Sequence, residues 1–263
     1  MPTYALSLTV LMSLAAACGT GAKESGAASA SVPASAHASA EAAPTVTPIQ
    51  HATFVLASGP HVIYNDPVGG AAAFADQPAP TLVLVSDIHG DHLDSTTLEA
   101  VVGEGVELVV PQAVAERLSP KLAARATVIA NGETVAVDGV PIEAIPMYNL
   151  REEALQYHPE GRGNGYVLTL GGERIYVAGD TEDIPEMRAL VDIDRAFVPM
   201  NLPYTMPVPA AADAVTEFAP GVVYPYHYRG KGGLSDTAQF RALVAAATDD
   251  ITVVGLNWYP ERG

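Results

Sequence analysis

The sequence predicts a mixed α/β fold in which a pair of β-sheets is flanked by helices. Three observations carry that expectation. Short runs rich in Val, Ile, Leu and Tyr recur between Gly and Pro punctuation, as strands do. Helical periodicity enters between the later strands. A strand meander gives way to alternating strands and helices, and the same transition occurs again in the second half of the chain. Such an order suggests two sheets with helices packed against them. No fixed-period repeat points to a solenoid or propeller.

In chain order, the predicted strands of the first half are Ala52–Leu56, His61–Tyr64, Thr81–Ser86, Val106–Val110 and Ala126–Ile129. Those of the second are Glu133–Val137, Ile142–Pro146, Gly165–Leu170, Arg174–Ala178, Arg195–Val198, Val222–Pro225 and Ile251–Gly255. Helices are predicted over Ser95–Val102, Ala113–Leu118, Pro185–Leu190, Ala210–Phe218 and Thr237–Ala247.

With 263 residues, 49% of them hydrophobic and 16% charged, the chain has material for one catalytic domain plus a tail. Thirteen Lys and Arg stand against thirty Asp and Glu, a formal charge of -17 that repels phosphate backbones, so nucleic acid is an unsuitable partner. A single cysteine excludes an intramolecular disulfide and a cysteine-rich zinc site. Any metal must be held by His, Asp or Glu.

The tail has its own organisation. Leu6–Ala17 is a signal-peptide-length apolar run, too short to span a bilayer, and it ends in small residues before Cys18. Residues 1–18 therefore read as a lipoprotein signal peptide, with Leu14-Ala-Ala-Ala-Cys18 resembling a bacterial lipobox. Two features depart from that pattern: no Lys or Arg precedes Lys23, and Ala15 stands where Leu is usual. Lipidation of Cys18 would tie the protein to a membrane of the bacterial cell envelope, on the periplasmic or outer-membrane side. Residues 19–45, almost entirely Ala, Ser, Gly, Glu and Pro, bury too little to offset ordering entropy and read as a tether. The folded domain is expected over residues 46–263.

Chemistry concentrates where the apolar run Thr81–Val85 meets Ser86-Asp-Ile-His-Gly-Asp-His92. Asp87 and His89 alternate as at a strand end and can face one way, while Gly90 is expected to permit the turn that brings Asp91 and His92 round. Imidazole and carboxylate suit zinc, manganese or iron. The alternative is a helix start with solvated histidines, and Asp94 before Ser95 is itself placed to cap a helix. Three later segments favour the metal reading: His158 before a Gly-rich turn that contains Arg162, Asp180 at the end of Arg174–Ala178-Gly-Asp, and His227 after Val222–Tyr226. Each is weak alone. Together they are what a site assembled from distant strand ends requires.

This order of an Asp/His loop, a His, a Gly-Asp-Thr and a terminal His resembles the metallo-β-lactamase superfamily. The similarity is closer to its zinc-dependent hydrolase branch, which includes ascorbate-6-phosphate lactonase and the phospholipase D that acts on N-acyl-phosphatidylethanolamine. Further echoes are Gln50-His-Ala-Thr53, Asn65-Asp-Pro67, Tyr176–Thr181 and Tyr224–His227. The resemblance implies a four-layer αββα sandwich. It implies two divalent metal ions, zinc or alternatively manganese, with Asp87, His89 and His158 at one position, Asp91, His92 and His227 at the other, and Asp180 bridging. That family's loop reads His-x-His-x-Asp-His, so Asp87 replaces the first His, and a carboxylate there favours harder metals.

The expected activity is hydrolysis of an ester, lactone or phosphodiester bond in a small-molecule or lipid substrate, by a metal-activated hydroxide that Asp91 orients. The competing expectation, motivated by Asp87, is an inactive metal-binding or partner-binding lipoprotein that retains the fold. His51 fits either the cleft or a structural role. Tyr204, Arg229 and Lys231 flank the site segments and are read as surface residues within reach of an anionic substrate. The loops Met147–Gln156 and Pro199–Pro209 shape the pocket but carry no interpretable motif.

Overall fold

Two sheets form one after the other along the chain. In this computed structural model, which describes residues 42–260, the first half supplies β1 (Thr45–Gln50), β2 (Thr53–Ser58), β3 (His61–Asn65), β4 (Leu82–Leu84), β5 (Glu107–Val110) and β6 (Ala126–Val128). The second supplies β7 (Thr134–Val137), β8 (Val140–Met147), β9 (Gly163–Leu170), β10 (Glu173–Val177), β11 (Arg195–Pro199) and β12 (Val222–Tyr226). A small hairpin of β13 (Arg229–Gly230) and β14 (Gly233–Leu234) precedes β15 (Thr252–Val253). Cys18 and residues 19–41 lie outside the described residues.

The first sheet keeps chain order, β1-β2-β3-β4-β5-β6, antiparallel from β1 to β3 and parallel from β3 to β6. The second is ordered β15-β12-β11-β10-β9-β8-β7, antiparallel from β7 to β10 and parallel from β10 to β15. Parallel neighbours need crossovers, and α-helices supply all of them except that between β3 and β4, which holds a 3-10 turn at Ala71–Phe74. The α-helices are α1 (Ser95–Val101), α2 (Gln112–Ala115) and α3 (Pro120–Ala123) in the first half, then α4 (Pro185–Arg188), α5 (Val208–Phe218) and α6 (Thr237–Ala247).

Side chains alternate across a strand, and that alternation sorts the core into layers. Along β10 to β12, Ile175, Val177, Phe197, Tyr224 and Tyr226 join Phe54, Leu56 and Leu84 of the first sheet in one cluster, closed by Trp258. Phe54 and Phe197 stack there with centroids 4.3 Å apart. The alternate residues Tyr176, Val198 and Val223 pack instead with Val215, Phe218, Phe240 and Val244 of α5 and α6. In the first sheet, Val83 and Leu108 pack with Leu98 of α1 and Leu122 of α3. The layers are therefore helix, sheet, sheet, helix, the predicted αββα sandwich.

Three of the differences from the sequence expectation have a plain physical cause. β1 was not anticipated, because Thr45-Val-Thr-Pro-Ile-Gln has little apolar alternation; as an edge strand it tolerates Pro48. The helix expected over Ala113–Leu118 is the single turn of α2, and α3, which Pro120 opens, was not expected. β15 is two residues long rather than five, because it pairs only with Val222 and Val223.

Candidate metal centre

Every polar residue of the cluster leaves the carboxyl end of a strand or the loop beyond it. Asp66 follows β3, Ser86 and Asp87 follow β4, Asp180 follows β10, Asn201 follows β11, and His227 follows β12. Parallel strands point the same way, so their carboxyl ends share an edge, where ligands are commonly gathered. Backbone strain marks the place. Of six described non-glycine residues with left-handed φ, three belong here: His51 at 52°, Asp66 at 44° and His227 at 46°.

The first loop is set by Asp66. Its Oδ1 accepts the Ser86 N–H at 2.7 Å, and its Oδ2 accepts the Ser86 hydroxyl at 2.7 Å and lies 2.9 Å from His92 Nδ1. Asp94 caps α1, accepting from the N–H groups of Thr96 at 3.0 Å and Thr97 at 3.2 Å. Gly90 does not carry the role predicted for it. Its φ is ordinary and an added Cβ would meet nothing, so the turn closes instead through the His92 and Leu93 N–H groups on the His89 carbonyl.

In the second half, Asp180 is delivered by a turn that does need glycine. Gly179 has a φ of 69°, and a Cβ there would lie 2.5 Å from Met147 Sδ. His158 Nδ1 lies 3.0 Å from the Tyr204 carbonyl, which fixes its ring and points Nε2 at Asp180. The two motif-free loops are tied together around it. Asn149 donates to the Ala154 and Tyr204 carbonyls, and Arg151 bridges Glu182 to the carbonyls of Pro203 and Thr205.

The predicted residues converge. His92 Nε2 and His227 Nε2 face each other at 3.1 Å, Asp180 Oδ2 is 3.3 Å from the first and Asp180 Oδ1 3.2 Å from the second. Asp91 Oδ2 lies 3.4 Å from His227 Nε2, and His158 Nε2 lies 3.1 Å from Asp180 Oδ2. Asp87, His89 and His158 form a second group with mutually close ligand atoms.

This donor set fits a divalent cation. The outer nitrogens of both facing rings are engaged, His92 Nδ1 by Asp66 and His227 Nδ1 by the Asn201 side chain at 2.9 Å, which leaves each Nε2 directed inward. Asp180 Oδ1 is buried without a hydrogen-bond partner among the described residues. Oriented imidazoles, one backed by a carboxylate and one by an amide, around an unsatisfied carboxylate oxygen are the features of a histidine and carboxylate metal site.

The buried groups also shift one another's ionisation. Burial raises the Asp180 carboxyl, but the imidazoles of His227, His92 and His158 outweigh it and hold it well below the usual range. Burial likewise raises Asp91, and hydrogen bonds from His227 and His51 carry it far below the ordinary value. His92 is lowered by burial yet held well above the usual imidazole range by Asp180 and Asp66. The cluster draws positive charge inward.

Asp87 behaves differently. It is wholly buried, and Arg162 clamps it, Nε on Oδ1 at 3.0 Å and Nη2 on Oδ2 at 2.8 Å. His89 Nδ1 lies 2.9 Å from the same Oδ2. Burial raises this carboxyl, and the hydrogen bond from His89 together with the charges of His92, His89 and Arg162 brings it below its usual value.

All seven predicted ligands thus meet in one place, lining or underlying a cleft of about 290 Å³ walled by His51, His89, Asp91, Tyr157, His158, Asp180, Asn201, Tyr204 and Arg229. His51 belongs to the cleft. Its Nε2 is 3.2 Å from Asp91 Oδ2, its Nδ1 2.7 Å from the Tyr259 hydroxyl, and its ring 3.8 Å from that of His227. Arg229 reaches the rim, 4.0 Å over the Tyr259 ring, whereas Lys231 does not line the cleft. Sequence reasoning gave no role to Asp66 or Asn201, and named Arg162 only as a side chain able to occupy part of the His158 region. Asp66 had a signal in Asn65-Asp-Pro67, and Arg162 one in the loop after His158, but Asn201 sits in a stretch without any.

The comparisons with known proteins point to the same class of protein. The β-lactamase superfamily domain profile matches residues 45–227. A UPF0173 metal-dependent hydrolase of Pyrococcus abyssi is 31% identical, over 74% of this chain and 89% of its own length. Among solved structures, a protein described as a metal-dependent hydrolase from Parabacteroides distasonis is 38% identical, covers 81% of this chain and 92% of its own, and superposes with a TM-score of 0.69. A metallo hydrolase from Ignicoccus hospitalis, 20% identical with a TM-score of 0.68 over 81% of this chain and 94% of its own, shares the fold.

Proposed function

We propose a function from one premise: the chain belongs to the β-lactamase superfamily, among its metal-dependent hydrolases. Its reaction is hydrolysis of an ester, lactone or phosphodiester bond in a small molecule or lipid, with two divalent cations, zinc or manganese. One observation carries the reading. His92 Nε2 and His227 Nε2 face each other at 3.1 Å beside the unsatisfied Asp180 Oδ1. Asp91, His92, Asp180 and His227 would hold one ion; Asp87, His89 and His158, sharing Asp180, would hold the other.

Bound divalent cations supply Lewis-acid polarisation of a substrate oxygen and bring the pKa of water from about 15.7 to about 7. The chain's own groups do the positioning. Asp91, 42% exposed to the cleft and anchored by His51 and His227, accepts a hydrogen bond from the attacking water and aims it. His51 cannot turn away, because Tyr259 holds its other nitrogen. Arg229 at the rim attracts an anionic part of the substrate, and a cleft of about 290 Å³ suits a small molecule or a lipid headgroup. No serine or cysteine nucleophile is required.

Activity against a panel of lactones, esters and phosphodiesters should disappear with chelator and return with zinc or manganese. Failure to bind either metal at micromolar concentration would defeat the proposal. Location belongs to the same reading: with Cys18 lipidated the enzyme sits at the cell envelope, and Cys18→Ala should abolish incorporation of labelled palmitate and release the protein from membranes.

A further inference from the structure

We infer that the two cation positions are unequal, because Arg162 already supplies the positive charge at one of them. The position formed by Asp91, His92, Asp180 and His227 holds the resident ion. The position formed by Asp87, His89 and His158 takes a second ion only weakly. This inference rests on the hydrolase reading above and refines it.

The two positions differ first in what neutralises their carboxylates. Asp91 and Asp180 make their ion pairs with histidines alone, and neither meets an Arg or Lys among the described residues. Asp87 meets Arg162 through two parallel hydrogen bonds at 3.0 and 2.8 Å, and its Oδ2 also faces His89 Nδ1 at 2.9 Å. A cation seated against Asp87 competes with a fixed guanidinium for the same oxygens and is repelled by it.

They differ also in how firmly that competitor is held. Arg162 precedes Gly163, where a Cβ would lie 2.1 Å from Met147 Cε and 2.9 Å from the Ser86 carbonyl. The segment therefore lies directly against the end of β4, and Asn164 N–H donates to the Ser86 carbonyl at 3.0 Å. The buried Asn164 side chain donates to the Ile129 carbonyl at 2.9 Å, and Arg162 Nη2 also donates to the Tyr157 carbonyl at 2.5 Å. The guanidinium is built in rather than resting on the surface, with 17% of its side chain exposed. This accounts for Asp87 where the resemblance has His: an imidazole there would leave Arg162 without its carboxylate.

The test counts ions rather than turnover. Full-length protein is stripped with chelator, reloaded with zinc or with manganese, desalted, and assayed by plasma mass spectrometry and titration calorimetry. Wild type should retain one ion per chain and bind a second at least tenfold more weakly. Asp87→His/Arg162→Met, which removes the guanidinium and restores an imidazole, should retain two, with circular dichroism confirming the fold. Two ions of equal affinity in wild type would overturn the inference and leave the hydrolase reading intact. A folded double variant that still retains one ion would overturn it as well. Should the double variant not fold, the wild-type titration decides by itself. Absence of any bound ion would overturn the hydrolase reading, and the inference with it.

Discussion

Asp180 and Asp87 both follow strands, are both buried, and contribute to adjacent parts of one cluster, yet they are neutralised in different ways. Asp180 is surrounded by His92, His158 and His227 and keeps one oxygen unsatisfied. Asp87 is clamped by Arg162 and has no such oxygen. A buried carboxylate requires a nearby positive charge. The comparison teaches that a fold can build that charge into its own sequence, as at Asp87, or leave room for an exchangeable cation, as we propose at Asp180.

The largest effect should come from the side without a built-in cation. His227→Ala should lower turnover by about a thousandfold, since Lewis-acid stabilisation of several kcal/mol is removed. His89→Ala, by contrast, should leave the resident ion in place, and loss of metal from both variants alike would break the comparison. Next in size is Arg162→Met in metal-free protein. It strands Asp87 without its partner and should cost about 3–5 kcal/mol in urea denaturation, with Asp87→Asn/Arg162→Met recovering most of that.

Asp66→Asn sharpens the contrast from behind the ligands. It leaves His92 without its carboxylate and should weaken metal binding about 10- to 100-fold in chelator competition, with little change in fold. The smallest effect is expected at the rim. Arg229→Ala should raise KM for anionic substrates a few-fold, roughly the 0.2–1 kcal/mol of an exposed ion pair, and leave neutral analogues unchanged.

The residues explain how much of this was readable in advance. β4 and β12 are buried on both faces, so their apolar runs are continuous and end visibly in polar groups; Asp87, His89, Asp91, His92 and His227 were legible for that reason. Asp180 was legible through its Gly-Asp turn. β1 was not, because an edge strand needs few apolar residues. Asn201 and Tyr204 act through an amide and a backbone carbonyl in a loop shaped by the Arg151–Glu182 pair, and no local pattern encodes such a long-range contact. Gly90 invited a conformational argument that the backbone does not need, whereas Gly163 and Gly179 are required by close packing that only the folded chain creates.

The candidate ligands come from both sheets, Asp91 and His92 from the first and His158, Asp180 and His227 from the second. Any ion seated between His92 and His227 closes a loop of 135 residues and works as a removable cross-link between the two halves of the sandwich. A chain with one cysteine has no internal disulfide to serve the same purpose. With an ion bound there, metal supply would govern more than turnover: starvation for the ion would loosen the joint between the sheets, and the lifetime of the protein would be coupled to the composition of its surroundings.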